Sequence, residues 1–342
     1  MKRWFSVLLI VTIVFAPCLL SGCGLIDALS DKIPTTYQNA EKYTAGNAEF
    51  EGKVDLFSIW WFYGSVTIKT HKESTVKIEE TANKDIDDTL SLHWRYFNTT
   101  DYGNILYIRY SDSGKFDYGD LKKDITVYLP ENDDMNLSLT IDAASVDVDM
   151  SAFENTLEEL TINTNSGKVS AKIDSADEVR ISGQNDEGIP EENREFFFRA
   201  AGTVYDLGIS SSYARVDVAA KSVRNGEVGS VFADLIFAAD EVRDLQLKNS
   251  RNKIYATVLK FDSIDIETCY EPCELTLSPN ASFVLTMKKE DRFNNKMSPK
   301  SVSVEFEGVT QNNAQYTVGA GEKTIKVATD SDLRILPLVK ED

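Results

Sequence analysis

The side chains that could do chemistry here are mainly carboxylates. Asp147 and Asp149 stand two apart in Ser145-Val146-Asp147-Val148-Asp149, with Asp142 nearby. That spacing puts the pair on one face of a strand. Asp262, Asp265 and Glu267 form a second row. Oxygen ligands stacked in this way could hold Ca²⁺, and two carboxylates could serve as acid and base on a glycoside. A uronate-cleaving site would also want Lys or Arg interleaved with the acids, and neither row shows that. Asp147 and Asp149 are therefore the calcium candidates. The competing reading is a solvated strand face, acidic because the whole chain is.

Other reactive groups are sparse. His71 and His93 lie in different segments, without a second histidine at metal-ligand spacing. There is no Gly-x-Ser-x-Gly elbow, phosphate loop or dinucleotide fingerprint. We expect no enzyme activity and no cofactor. Cys269 and Cys273, in Cys269-Tyr270-Glu271-Pro272-Cys273, lack the spacing of a redox or zinc knuckle. An exported chain can keep a disulfide, and Pro272 would help bend so short a loop. A structural disulfide is expected there, with two free thiols as the alternative. The densest aromatic run is Trp60-Trp61-Phe62-Tyr63. Counting back from Val66 and Ile68, Trp60 and Phe62 share the inward parity, and Trp61 and Tyr63 point outward. Outward rings could stack on sugars or fill a partner's pocket. Alternatively, the four rings cap one end of a strand stack.

The N-terminus sets the compartment. Lys2 and Arg3 precede an apolar run from Trp4 to Phe15 and the small-residue ending Leu20-Ser21-Gly22-Cys23. That layout is a secretory signal, and its last four residues resemble the bacterial lipobox, in which the cysteine is acylated and becomes the first mature residue. Residues 1–22 are read as the signal and Cys23 as the lipidation site, an uncleaved membrane anchor being the alternative. A diacylglyceryl group plus an N-acyl chain such as palmitate suffices for stable anchoring. The rest of the chain is expected outside the cytoplasm, lipid-anchored to the cell membrane. Net charge is −19, and −21 without Lys2 and Arg3. Such a balance excludes nucleic acid as a partner, since binding it requires neutralised phosphates.

The elements that must position these groups are strands. Residues 23–48 are polar and broken by Pro34, and read as a tether. From Phe50 onward, period-2 segments rich in β-branched residues follow one another. Val66–Lys69 and Val76–Glu79 suggest a hairpin around Lys72-Glu73-Ser74. Residues 49–135 are read as an N-terminal β region. Beyond residue 136, strand signals recur about every twenty residues, two of them almost verbatim: Ala176-Asp177-Glu178-Val179-Arg180 and Ala239-Asp240-Glu241-Val242-Arg243. A period near twenty suits one coil of a β-solenoid. The expected fold is all-β: a single-chain β-helix-like stack over 136–342, right- or left-handed, with paired β-sandwiches as the alternative. An acidic stretch near 184–199, ending in Phe196-Phe197-Phe198, interrupts the repeat.

Phe50-Glu51-Gly52, Ile59-Trp60 and Gly64-Ser65-Val66-Thr67-Ile68 resemble the opening of the bacterial adhesin-like β-solenoid domain family. Ile125–Pro130, the turn Asn165-Ser166-Gly167-Lys168-Val169 and the closing segments Thr317–Val327 and Thr329–Ile335 continue the likeness, which covers roughly 50–336. Few glycine turns and the acidic stretch after Gly183 depart from the pattern. The resemblance implies a cell-surface role and passes on no catalytic residues. The expected function is a non-catalytic surface interaction module whose partner is a cell-surface glycan or a protein. A carbohydrate-active β-helix enzyme and an envelope-stress sensor are the alternatives.

Overall fold

The computed structural model describes residues 36–339 apart from 116–117, 132–136, 165–166, 185–193, 292, 294 and 313–314. The signal, Cys23, the Asn165-Ser166 turn and most of the acidic stretch lie outside the described residues. Within them the chain is all-β, as expected: twenty-two strands and a single 3-10 turn at Ala40–Lys42.

The first seven strands are β1 (Thr44–Ala45), β2 (Ala48–Glu51), β3 (Leu56–His71), β4 (Thr75–Ala82), β5 (His93–Thr99), β6 (Gly103–Arg109) and β7 (Lys123–Pro130). Then follow β8 (Ser138–Met150), β9 (Leu157–Thr164), β10 (Val169–Ile173), β11 (Ala176–Gly183), β12 (Glu195–Ser211), β13 (Arg215–Ser230), β14 (Leu235–Asn249), β15 (Ile254–Thr268) and β16 (Cys273–Leu277). The last six are β17 (Phe283–Met287), β18 (Ser301–Val304), β19 (Thr310–Asn312), β20 (Gln315–Val318), β21 (Lys323–Thr329) and β22 (Asp332–Pro337).

Their pairings form two ladders. The first runs β2–β4–β7–β3–β8–β10–β12–β13–β14–β15–β16–β22–β18. The second runs β1–β5–β6–β3–β8–β9–β11–β12–β13–β14–β15–β21–β17–β20–β19. Antiparallel pairs occur only toward the ends, among β1, β2, β4, β5, β6 and β7 and among β17, β19 and β20. Because β8 and β12 belong to both ladders, the pairings β8–β9–β11–β12–β10–β8 close a ring of five parallel strands.

Long strands serve both ladders because their alternation slips at two successive three-residue steps. In β13 the buried residues are Val216, Val218 and Ala220, then Val223, then Gly226, Val228 and Ser230. The three-residue step from Ala220 to Val223 turns a corner while apolar side chains on both sides still face the core. Ala239 to Val242 and Val258 to Phe261 repeat it. Buried polar side chains tie the opposite corner. Ser230 Oγ donates to Ala214 O (3.2 Å), and Asn249 Nδ2 donates to Ala233 O (2.9 Å) and Lys253 O (3.3 Å). Satisfied this way, polar groups can sit inside without their desolvation penalty. Phe196, Phe198, Phe237 and Phe283 fill the space between the ladders. Each stabilises the fold by roughly 1.5–3 kcal/mol relative to exposure.

Three details depart from expectation. The hairpin around Lys72-Glu73-Ser74 does not pair its own arms, because β7 lies between β3 and β4. The near-verbatim segments are out of register by three residues: Val242 lies in line with Ala176, and Val179 with Leu245. Phe196-Phe197-Phe198 are strand residues of β12, the outer two buried.

Candidate functional site

The parity assigned to the aromatic run is corrected. Trp61 is buried and cannot meet a partner, while Tyr63 is 52% exposed. The reason is the bend at Gly64, where the β3–β8 register shifts between Trp61 and Ser65. Counting back from Val66 across that bend therefore misplaces Trp61, which shares the inward parity of Phe57 and Ile59, while Tyr63 beside the bend still meets solvent. Gly64 adopts φ +102°, and a Cβ there would lie 2.0 Å from Lys123 O. Trp61 Nε1 donates to the same Lys123 O at 2.7 Å.

Behind Trp61 lies a buried ion pair. Lys123 Nζ is 2.7 Å from Glu80 Oε1, donates to Leu90 O (2.6 Å) and Tyr110 O, and lies 5.0 Å and 4.2 Å from the Trp61 and Tyr110 ring centroids. Glu80 in turn accepts from Leu92 N at 2.9 and 3.1 Å. Burial pulls the Lys123 ammonium below the usual lysine range. Trp60, Phe62, Tyr37, Tyr110, Tyr118 and Arg109 surround a small cavity in front of it. Tyr37 N donates to Ser113 Oγ and its hydroxyl to Ser111 O, both at 3.1 Å, so the residues just before β1 lie against the fold. Arg109 Nη1 donates to Ser58 O (3.1 Å) and Ile108 O (2.9 Å). Burial raises the Asp142 carboxyl above its ordinary value, against the Asn163 amide hydrogen bond and the Arg109 charge that lower it. These polar groups are committed to the fold, and Tyr63 is the ring that meets solvent.

The acidic rows prove to be interleaved with bases, contrary to the sequence reading. The lysines come from neighbouring strands, which period counting along one strand cannot show. Asp149 stands between Lys69 and Lys172 in the first ladder, and Ser151 Oγ donates to it at 2.6 Å. That hydroxyl, helped by the Ser151 backbone N–H and the two lysines, sets its carboxyl below the usual range against burial, which raises it. Asp147 faces Thr67 and Ser170. Lys288 bridges Asp265 (2.7 Å) and Glu267 (3.7 Å), and Lys323 holds Asp262 at 2.5 Å. Among the described residues, no group of three or more His, Cys, Asp or Glu side chains converges to hold a metal ion. The expected disulfide is not formed: Cys269 and Cys273 are free thiols. Cys273 points into the core between Ile254 and Leu333, while Cys269 sits half-buried at the corner. Burial pushes the Cys273 thiol up to about 12.

Sequence reasoning missed two features. Phe197, Asp217, Ile236 and Tyr255 form one outward row across β12–β15, with Tyr255 39% exposed. Arg199 lies 3.6 Å from the Phe197 ring centroid and pairs with Asp217 at 2.8 Å. Their common column is legible only once the pairing is known, 20 residues from Phe197 to Asp217 and then 19 to Ile236 and 19 to Tyr255. The second feature is a groove of about 500 Å³ at the corner after β15, lined by Glu241, Leu259, Lys260, Asp262, Ser282 and Lys323 among others. It follows from strand order, for which the sequence carries no local signal.

No family model matches the sequence, and no curated protein matches it either. Solved structures do. A chain described as a "putative adhesin" from Parabacteroides merdae aligns over 87% of this chain and 97% of its own, at 11% identity and a TM-score of 0.37. A "putative adhesin" from Bacteroides fragilis covers 85% and 96% at 10% identity and a TM-score of 0.33. A "putative cell adhesion protein" from Clostridium sporogenes covers 86% and 100%, at 10% identity and a TM-score of 0.18. Likenesses this distant leave the reading to the chain's own residues.

Proposed function

We propose that this chain is a non-catalytic surface interaction module of the adhesin-like kind, lipid-anchored through Cys23, whose two ladders are the faces of a β-solenoid. Residues 49–135 form its closing end and 136–342 its stack. The observation that carries the reading is the outward row Phe197–Asp217–Ile236–Tyr255, beside the small side chains Ala219, Ala238 and Thr257 of the next row. Rings and an aliphatic side chain aligned on an otherwise polar face make a flat surface suited to a glycan or protein partner. The 19-residue register from Val216 through Leu235 and Ile254 to Cys273 supports the coil reading. Bonding of Asp149 to Ser151, of Asp262 to Lys323 and of Asp265 to Lys288 supports structural rather than catalytic carboxylates.

A glycan-array screen on the full chain, with reducing-sugar release assayed on each hit, tests the function. Binding without release, weakened by Tyr255→Ala, is expected; sugar release would overturn it. Cys23→Ala should move the protein out of the membrane fraction, and unchanged lipidation would refute the anchor.

A further inference from the structure

We propose that the groove after β15 binds a neutral oligosaccharide bearing N-acetylated amino sugars, an inference that rests on the surface-interaction reading and gives it a second, chemically defined site. The groove exists because of an interleaved strand. In the first ladder β16 lies directly beside β15, but in the second β21 separates β15 from β17. The corner segments 259–262 and 278–282 must therefore diverge, and the space between them is the groove, with Glu322 and Lys323 entering beside it. Its volume of about 500 Å³ falls in the range of small-molecule sites, roughly 300–1,000 Å³.

Its walls are held in place. Ser282 Oγ accepts from Gly321 N at 3.0 Å, and Lys323 N donates to Ser282 O at 3.2 Å, pinning the turn before β21 to the opposite wall. A wall fixed before binding spares the ordering cost. The lining alternates acceptors and donors: Asp262 with Lys323 in one ion pair, Glu241 beside Lys260, and Ser278, Asn280 and Ser282. Sugar hydroxyls both donate and accept, so such a set can satisfy them. Of its three carboxylates, Glu241 pairs with Arg224 (3.4 Å) and Asp262 with Lys323, and Glu322 lies with Lys260 in the lining, within a chain of net charge −19. A polyuronate would be repelled and a neutral glycan would not. Leu259 and Ala281, half-buried among these polar groups, offer apolar surface for an acetamido methyl.

The test is calorimetric titration of the full-length protein in detergent with chitotetraose, cellotetraose and polygalacturonate. Saturable chitotetraose binding is expected, at least tenfold tighter than cellotetraose, which lacks the acetamido group, with none for polygalacturonate. Asp262→Ala and the groove-filling Ala281→Arg should each weaken it at least tenfold, while Tyr102→Ala, at an exposed ring between β5 and β6, leaves it unchanged. Should Asp262→Ala lower the melting temperature, Lys260→Ala, which removes no ion pair among the described residues, serves in its place. Equal binding of cellotetraose or polygalacturonate overturns the ligand class. Chitotetraose binding that survives the groove variants but falls with Tyr255→Ala overturns the site and leaves the surface reading standing. No binding of chitotetraose by protein that still binds array glycans overturns the groove alone, and silence toward every glycan overturns the groove and leaves the surface reading with a protein partner only.

Discussion

The two ends of the stack solve one problem with different chemistry. A ladder of strands must stop without leaving unpaired edges over an open core, and both ends do so by interleaving. β7 takes the place beside β3 that β4 would fill in a simple hairpin, and β21 takes the place beside β15 that β17 would fill in a simple stack. At the N-terminal end the gap is filled with buried groups: Trp61, Tyr110 and the Lys123–Glu80 pair. At the C-terminal end it is left as a groove edged by exposed pairs, with Phe293 and Val339 in solvent. Low-dielectric packing concentrates stability at the first end and leaves the second free to present varied chemistry. The difference also separates the surfaces proposed for binding from the part of the molecule least tolerant of change.

The sharpest way to break this contrast is at Lys123. Lys123→Met strands the Glu80 carboxylate in the core and should cost about 3–5 kcal/mol in urea unfolding. Lys123→Met combined with Glu80→Leu removes both charges and should recover most of that loss, since a buried pair is often no better than apolar residues of similar volume. A single variant as stable as wild type would show that the N-terminal end does not depend on the pair.

Next come two glycines, one at each end. Gly64→Ala forces a Cβ to 2.0 Å from the Lys123 carbonyl at φ +102°, and backbone cannot yield as a side chain can. A loss of about 1–3 kcal/mol is the minimum expected. Gly321→Ala is also strained, at φ +69°, but its Cβ meets the side-chain atom Val284 Cγ2 at 2.9 Å. The loss there should be nearer 1 kcal/mol. Equal losses in thermal melts would erase the claimed difference in rigidity.

Acid titration separates two aspartates by sign. Burial raises Asp142, near the N-terminal end. Between its ordinary value and the raised one, the folded chain keeps a proton that the unfolded chain has lost, so its contribution to stability falls as pH rises through that window. Asp244, farther along the stack, is lowered, chiefly by the Ser263 hydroxyl. Its contribution is present above the ordinary value and lost as pH falls toward the lowered one. Urea midpoints between pH 3 and 6 should show Asp142→Asn and Asp244→Asn departing from wild type with opposite slopes, and slopes of the same sign would refute the assignment.

These contrasts mark what the sequence could show. All-β structure was legible because alternation of Val, Ile and Leu with polar residues survives along each strand. Corners were not, because a three-residue step such as Ala220 to Val223 looks like a lapse in the pattern until partners are known. That ambiguity offset the two near-verbatim segments, and the register shift at Gly64 misplaced Trp61. The pairing of Asp265 with Lys288, and the groove itself, depend on which strand lies next to which, a long-range property that no local period encodes. Tyr63 was placed outward, and is, but by a count that crossed the Gly64 bend.

The smallest effect should lie at the C-terminal rim. Arg334 Nη1 is 3.3 Å from Glu274 Oε2 and Nη2 is 3.1 Å from Glu305 Oε1, a bridge spanning β16, β22 and the residue after β18. All three side chains are at least a third exposed. Water screens both contacts, and holding three long side chains costs rotamer freedom. Arg334→Ala should therefore change unfolding stability by less than about 1 kcal/mol, and less still at high salt. Two ion contacts at one end of the molecule would then weigh less than the single pair at the other, because exposure rather than number sets their worth. A loss comparable to that of Lys123→Met would mean that the C-terminal end is held as tightly as the N-terminal one.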